Sequence, residues 1–251
     1  MRLLGWQLRW EQTAFWRNPQ AAFFTFAFPL MFLVVFASLN RTSHAHEYGG
    51  ISYNQYLVPA ILTFGVTSAC YSNLAMGLTE RRETGMLKRL RATPLPSWAL
   101  VGGVLLNALV VALLLALITV VVGIAGYGVH APYHPLPLLI GLVLGALTFC
   151  ALGIGVSALV RNSEAAPAVV QFPYFLLNFI SGVFFPAPQS GFMHTAAHWF
   201  PVVHLVDLCF AGFDPRPGAG GVDANDVLVL LVWAVVAVVV AVRRFRWEPR
   251  R

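Results

Sequence analysis

E-R-R-E-T-G-M-L-K-R-L-R-A-T-P-L-P-S, residues Glu80 to Ser97, separates two long apolar segments and holds five of the sixteen lysines and arginines in the chain. Its surroundings decide what it is. Only 10% of the 251 residues are charged, 58% are hydrophobic, and the mean hydropathy is +0.72. A soluble domain carries about 25% charged residues. There is too little polar surface here to solvate a globule, so lipid is the solvent for most of the chain.

Working outward from that stretch, the apolar segments can be counted. A helix crossing a hydrocarbon layer of about 30 Å needs about 20 apolar residues. Six segments qualify: Ala21–Leu39, Tyr53–Leu78, Trp98–Val122, Leu136–Val160, Ala165–Phe185 and Val222–Val242. The last contains the Val/Leu/Ala run Val227–Val242, which covers only about 24 Å and is therefore extended back toward Val222. The expectation is one all-α membrane domain over residues 1–251 with six transmembrane helices.

With six spans both termini share a side. Fourteen of the sixteen cations fall on that side, leaving only Arg41 and Arg216 opposite. An excess of Lys and Arg marks cytoplasmic loops, which places both ends, the basic tail 243–251 and Glu80–Ser97 in the cytoplasm. The net charge of +6 is thus an orientation signal, and no nucleic-acid partner is implied. Fifteen arginines against one lysine, with abundant Ala and Val, suggest a GC-rich bacterium.

Residues 1–20 lack the short apolar core and small-residue cleavage site of a signal peptide. On a helical wheel Leu3, Leu4, Trp6, Leu8, Trp10, Ala14 and Phe15 share a broad arc, with Arg2, Arg9 and Gln12 opposite. That pattern predicts a helix lying flat in the inner leaflet, with a frayed tail as the alternative. Arg17-Asn18-Pro19 ends it, because proline disfavours helix at the residue before it.

Within the opening stretch, Glu80-Arg81-Arg82-Glu83 extends the second span and Gly85 interrupts it. Met86, Leu87 and Leu90 then share one side of a short helix, away from Arg81, Lys88 and Arg89, before Pro94 and Pro96 stop it. Such a helix on a short loop suits docking into another protein. A solvated basic loop fits the periodicity equally well.

The residues Glu80-x-x-Glu83-x-Gly85-x-Leu87-x-x-Leu90-x-x-x-Pro94-Leu95 resemble the loop after the second span in permeases of ABC-2-type exporters. Ser181-Gly182-Val183-Phe184-Phe185-Pro186, followed by Phe200-Pro201 and His204-Leu205-Val206-Asp207, is similar to the end of the fifth span in the same family. Arg17-Asn18-Pro19 is a weaker third match. The resemblance covers nearly the whole chain. It implies that residues 80–97 form a coupling helix seated on a separate ATPase subunit, with Glu80, Glu83, Gly85, Met86, Leu87, Leu90 and Pro94 at the contact. It further implies a dimer of permeases bound to two such ATPases, which hold the ATP and Mg. No G-x-x-x-x-G-K-[ST] occurs in this sequence, so hydrolysis belongs to the partner.

Unsatisfied polar groups in lipid are costly, so intramembrane polarity marks the transport path. Tyr56, Thr63, Thr67 and Tyr71 lie on roughly one stripe of the second span, with Asn73 near its inner end. In the fifth, Gln171, Asn178 and Ser181 recur among Phe172, Phe175 and Phe179, while Pro167 and Pro173 loosen the helix. The resemblance implies that these two spans line the pathway. Polar residues that merely join helices are the plainer alternative. No span centre carries an obvious charge, which favours an amphipathic or apolar cargo over an ion relay. Gly141-x-x-x-Gly145, then Gly153 and Gly155, predicts close packing within the chain or between chains.

The segment 186–221 is too polar to span. Phe192–Trp199 and Val202–Phe213 are expected as short helices, which by resemblance re-enter the outer leaflet and gate the exit with Phe184, Phe185, Pro186 and Pro201. His194-x-x-x-His198 has zinc-ligand spacing but lacks the Glu of H-E-x-x-H, and three cysteines suggest no disulfide framework. No catalytic or metal site is expected. The function expected is export of a drug, antibiotic or lipid, by a permease like the daunorubicin-resistance type. The alternatives are a non-transporting scaffold, a polysaccharide or glycolipid exporter permease, and a membrane metalloenzyme.

Overall fold

The computed structural model describes residues 2–39, 44–45, 51–92, 96–184 and 191–244. Pro94, Phe185, Pro186 and the tail beyond residue 244 lie outside the described residues. The chain begins with α1 (Arg2–Trp16), followed by α2 (Pro19–Leu39). Asn18 separates them: its side-chain oxygen accepts from the Ala21 amide at 3.1 Å, and Pro19 takes the first helical position. A two-residue ladder pairs β1 (His44–Ala45) with β2 (Ile51–Ser52). Ser52 caps α3 (Tyr53–Glu83) by accepting from the Gln55 amide. Then come α4 (Met86–Arg91), α5 (Ser97–Tyr127), α6 (Pro135–Ser157), α7 (Pro167–Ile180), α8 (Phe192–Ala197), α9 (Pro201–Phe213) and α10 (Ala224–Arg244).

The second span is the core of the bundle. Of the most apolar window of α3, 89% is buried, against 22% in each of α2 and α10, so α3 is central and the other two lie at the periphery. Gln55 fixes its start, donating to the Phe213 carbonyl at 3.0 Å and accepting from the His130 amide at 2.9 Å. The glycines of α6 pack inside the chain. A side chain at Gly145 would meet Leu205 of α9, and one at Gly153 would meet the Tyr71 and Cys70 carbonyls of α3. On its other face, Thr148 donates to the Leu230 carbonyl of α10 at 3.1 Å. Small residues and hydroxyls of this kind let helix backbones approach where no hydrophobic effect drives them together.

Three expectations need correction. Among the described residues five helices are long and apolar enough to cross a membrane, and α7 is not one of them. Its 14 residues reach about 21 Å, because Gly182 at φ 81 turns the chain at Ser181 and prevents the helix from running to residue 185. The last helix runs over Ala224–Arg244, shifted by two residues from 222–242, and α5 continues to Tyr127, beyond Val122.

The third correction concerns α1. Leu3, Trp6 and Trp16 are exposed, as expected of a helix at a lipid surface, but the side that meets the bundle is formed by buried Gln7 and Glu11, while Arg9, expected opposite the apolar arc, is exposed as well. Glu11, 2% exposed, accepts both terminal nitrogens of Arg81 from α3 at 2.9 and 2.7 Å. Gly102 and Gly103 of α5 give α1 room, since side chains there would strike Leu4 and Gln7. The exposed indoles remain suited to a lipid headgroup layer. A double-mutant cycle of Glu11→Gln and Arg81→Gln should return a coupling of about 1–3 kcal/mol, measured by thermal unfolding. Additive single effects would show that the pair does not hold α1.

Candidate functional site

Two stretches of α3 and α7 depart from α-helical geometry, and they meet. In α3, Ser68–Ser72 form a π turn, with the Asn73 amide donating to the Ser68 carbonyl five residues back. Gly153 of α6 lies directly against the Cys70 and Tyr71 carbonyls of this turn. In α7 the π turn is Pro167–Gln171. Pro173 has no N–H for the Val169 carbonyl and its ring would crowd that oxygen, so the preceding turn is widened. The Tyr71 hydroxyl donates to the Val170 carbonyl at 3.3 Å, and Ser72 donates to the Gln171 side-chain oxygen at 3.0 Å. Tyr174 donates to the Phe64 carbonyl at 3.1 Å, and Tyr56 to the Gly182 carbonyl.

Beside this seam lies a cavity of about 260 Å³ between α2, α3 and α7. Phe28, Phe64 and Phe175 form its apolar wall, and Ser68, Ser72, Asn73 and Gln171 its polar one. Asn73 also donates to Thr25 of α2 at 2.7 Å, closing one end. Beyond the cavity an aromatic plug fills the same three-helix interface. Phe184 stands 5.2 Å from Phe32, 5.1 Å from Phe64 and 4.9 Å from Phe179 between ring centres. The site can hold an amphiphile with one aromatic or aliphatic face and one hydrogen-bonding face.

Of the residues expected on the pathway, Gln171 and Phe175 line this cavity and Tyr71 joins the two helices beside it, whereas Tyr56, about 18 Å away along α3, donates to the Gly182 carbonyl beyond the end of α7. Thr63 and Thr67 do not reach it; their hydroxyls donate to carbonyls of their own helix, Pro59 at 3.0 Å and Thr63 at 2.9 Å. Asn178 and Ser181 are buried beyond the cavity, Asn178 donating to Tyr174 at 2.7 Å. Phe28, Ser68 and Ser72 were not anticipated. The run Thr67-Ser68 to Ser72-Asn73 is the signal for them: Ser68 and Ser72, four residues apart, share one face of the helix, and the π turn brings Asn73 round to it. Pro201, expected at the outer gate, is buried at the start of α9.

The loop helix is mounted firmly. Gly85 adopts φ 70 between α3 and α4, a left-handed conformation that favours glycine. Leu87 is 0% exposed and packs into the bundle, so it anchors α4 and does not present itself to a partner. Met86 and Leu90 are half-buried, while Glu80, Lys88 and Arg89 are exposed. Just before the glycine, buried Arg82 donates to the Ser157 carbonyl at 2.9 Å and the Val160 carbonyl at 2.6 Å, clamping α3 to the end of α6. Glu83 accepts from the Ser163 amide at 2.5 Å and from its hydroxyl, so its carboxylate braces the connection to α7.

At the opposite end, buried His204 of α9 lies 2.7 Å from the Asp226 carboxylate at Nδ1 and 3.0 Å from the His198 carbonyl at Nε2. Burial opposes a charged ring, but Asp226, the His198 carbonyl and Asp207 outweigh it and raise the His204 pKa above its ordinary value. The stabilisation is fully present below about pH 6.5 and is lost as pH rises through the raised folded value. The melting temperature should therefore fall between pH 6 and pH 9, and His204→Gln should flatten that slope. An unchanged slope would remove the pair from the account. Among the described residues no group of three or more His, Cys, Asp or Glu side chains could hold a metal.

Membrane-length helices around a buried polar-seamed helix, with a short helix mounted at one end, are the architecture of a multi-pass membrane protein. The chain belongs to the ABC-2 type transporter family, whose model matches residues 3–213. It is similar to the inner membrane transport permease YadH of Escherichia coli strain K12, at 22% identity over 213 residues, 83% of this chain and 78% of that one. The proteins of the same name from Escherichia coli O157:H7 and Shigella flexneri match to the same extent.

Proposed function

We propose that this chain is the permease subunit of an ATP-driven exporter in a bacterial inner membrane, carrying an amphipathic drug, antibiotic or lipid out of the cytoplasm or inner leaflet. The observation that carries this reading is the continuity of α3. One buried helix holds the cavity at Ser68–Asn73 and, about 15 Å further along, the mount of α4. A push on α4 passes through the Gly85 turn and the buried Leu87 contact to the end of α3, and from there along one continuous helix to the cavity. A separate ATPase, two copies per complex and holding ATP and Mg, engages Glu80 at the end of α3 and the exposed face of α4 through Lys88 and Arg89. A second permease chain completes the complex.

The charge distribution supports cytoplasmic placement of both ends, with fourteen of sixteen cations on that side. In this orientation α7 together with the non-helical residues Ser181–Phe184 beyond it makes the sixth crossing, and α8 and α9 sit in the outer leaflet as an exit gate. The mixed lining of the cavity favours an amphiphile of the kind carried by daunorubicin-resistance permeases. The test is co-purification of an ATPase with the tagged chain from native membranes, with ATP hydrolysis read alongside. Lys88→Glu with Arg89→Glu should abolish both and leave the chain folded. A chain that purifies alone, or a variant that keeps its ATPase, would overturn the assignment.

A further inference from the structure

A second opening lies under α4, away from the cavity between α2, α3 and α7. It is a groove of about 500 Å³ between α4, α5, α6 and α10, within the roughly 300–1,000 Å³ of small-molecule sites. Leu87, Leu100, Val101, Leu147, Val238 and Val242 form much of its wall, and every lining side chain is apolar. It is open to the lipid side, because Leu147 and Val238 are half-exposed and Val242 is more so. Two of its wall residues, Leu87 and Val242, are each followed in sequence by two exposed cations, Lys88 and Arg89 on α4, and Arg243 and Arg244 on α10. Neither α4 nor the last turn of α10 contains an acid.

We propose that this groove binds one acyl chain of an anionic phospholipid whose phosphate sits among Lys88, Arg89, Arg243 and Arg244. An apolar slot at membrane depth with four cations at its mouth matches an amphiphile with a single anionic head. An apolar partner helix in the groove would leave Arg243 and Arg244 unmatched, and a zwitterionic lipid would match the cations only in part. Because Leu87 forms the wall nearest the mouth, an acyl chain in the groove presses on the residue that anchors α4. The lipid braces that helix from below. Assignment to the cytoplasmic leaflet rests on the orientation proposed above; the binding itself does not, and it is measurable without an ATPase.

The experiment is native mass spectrometry of the detergent-purified full chain, titrated with dioleoyl phosphatidylglycerol or dioleoyl phosphatidylcholine. One phosphatidylglycerol should bind about tenfold or more tightly than phosphatidylcholine. Arg243→Gln with Arg244→Gln should weaken it by roughly fivefold per charge removed. Lys88→Gln with Arg89→Gln should do the same from the other side of the mouth, and serves if the first variant does not express. Leu147→Trp, at an exposed wall position, should block the slot and remove the preferred first binding event for both lipids. Equal binding of the two lipids by the unmodified chain would overturn the proposal, as would a phosphatidylglycerol preference that survives the charge and groove variants.

Discussion

Replacing Arg82 with glutamine is expected to cost about 3 kcal/mol, the largest loss from any single change at the cation-rich end. The guanidinium is 2% exposed and serves the Ser157 and Val160 carbonyls, which lie at the end of α6 where no helical amide can reach them. Removing it leaves both oxygens buried without that donor and separates α3 from α6 where the α4 mount begins. For a chain of this length the loss corresponds to a fall in melting temperature of roughly 6–12 °C. Lysine, reaching one carbonyl but not two, should recover part of it. Thermal unfolding in detergent reads the effect, and a glutamine variant that melts with the parent would remove the clamp from the account.

Valine at Gly153 is expected to be the next most damaging change, by about 1–3 kcal/mol. A side-chain carbon there would stand 2.9 Å from the Tyr71 carbonyl and 3.0 Å from that of Cys70. Both oxygens belong to the backbone of a π turn and cannot swing aside as a side chain can. The turn must move, and Ser68 and Ser72 move with it, so transport should fall more than stability does. Gly77→Ala, in the same α3 but with nothing within 4 Å of the added carbon, provides the contrast. It should be neutral or stabilise by up to about 1 kcal/mol through helix propensity. Equal melting of the two variants would mean that the contact at Gly153 is not tight.

Much of the architecture was legible because lipid imposes simple rules. Apolar segments of crossing length, the left-handed break at Gly85 and the Asn18-Pro19 boundary all follow from length, propensity and capping. What escaped has a common physical cause. The apolar arc of α1 leaves Leu3 and Trp6 exposed, but nothing in its wheel marks Gln7 and Glu11 as the residues that face the protein. An apolar residue such as Leu87 on a loop helix can serve a partner or its own bundle, and periodicity does not distinguish them. Arg82 looked like one more orientation charge, since its carbonyl partners lie 75 and 78 residues away. Gln171 is marked by its polarity and Phe175 by its place beside it. Ser68 and Ser72 share a helical face at i, i+4, but serines in an apolar span are as readily helix-joining residues as the wall of a cavity.

The altered helical phase of a π turn has a mechanical meaning. Each π turn keeps one residue in reserve beyond what a regular helix of the same height requires. Returning that residue to the ladder would rotate everything past it by about 100° and advance it by about 1.5 Å, with no helix broken. In α3, the part past it is the segment that ends at Gly85. A screw of this kind converts a small axial stroke into a change in which side chains face the interior, and both helices flanking the cavity are threaded for it.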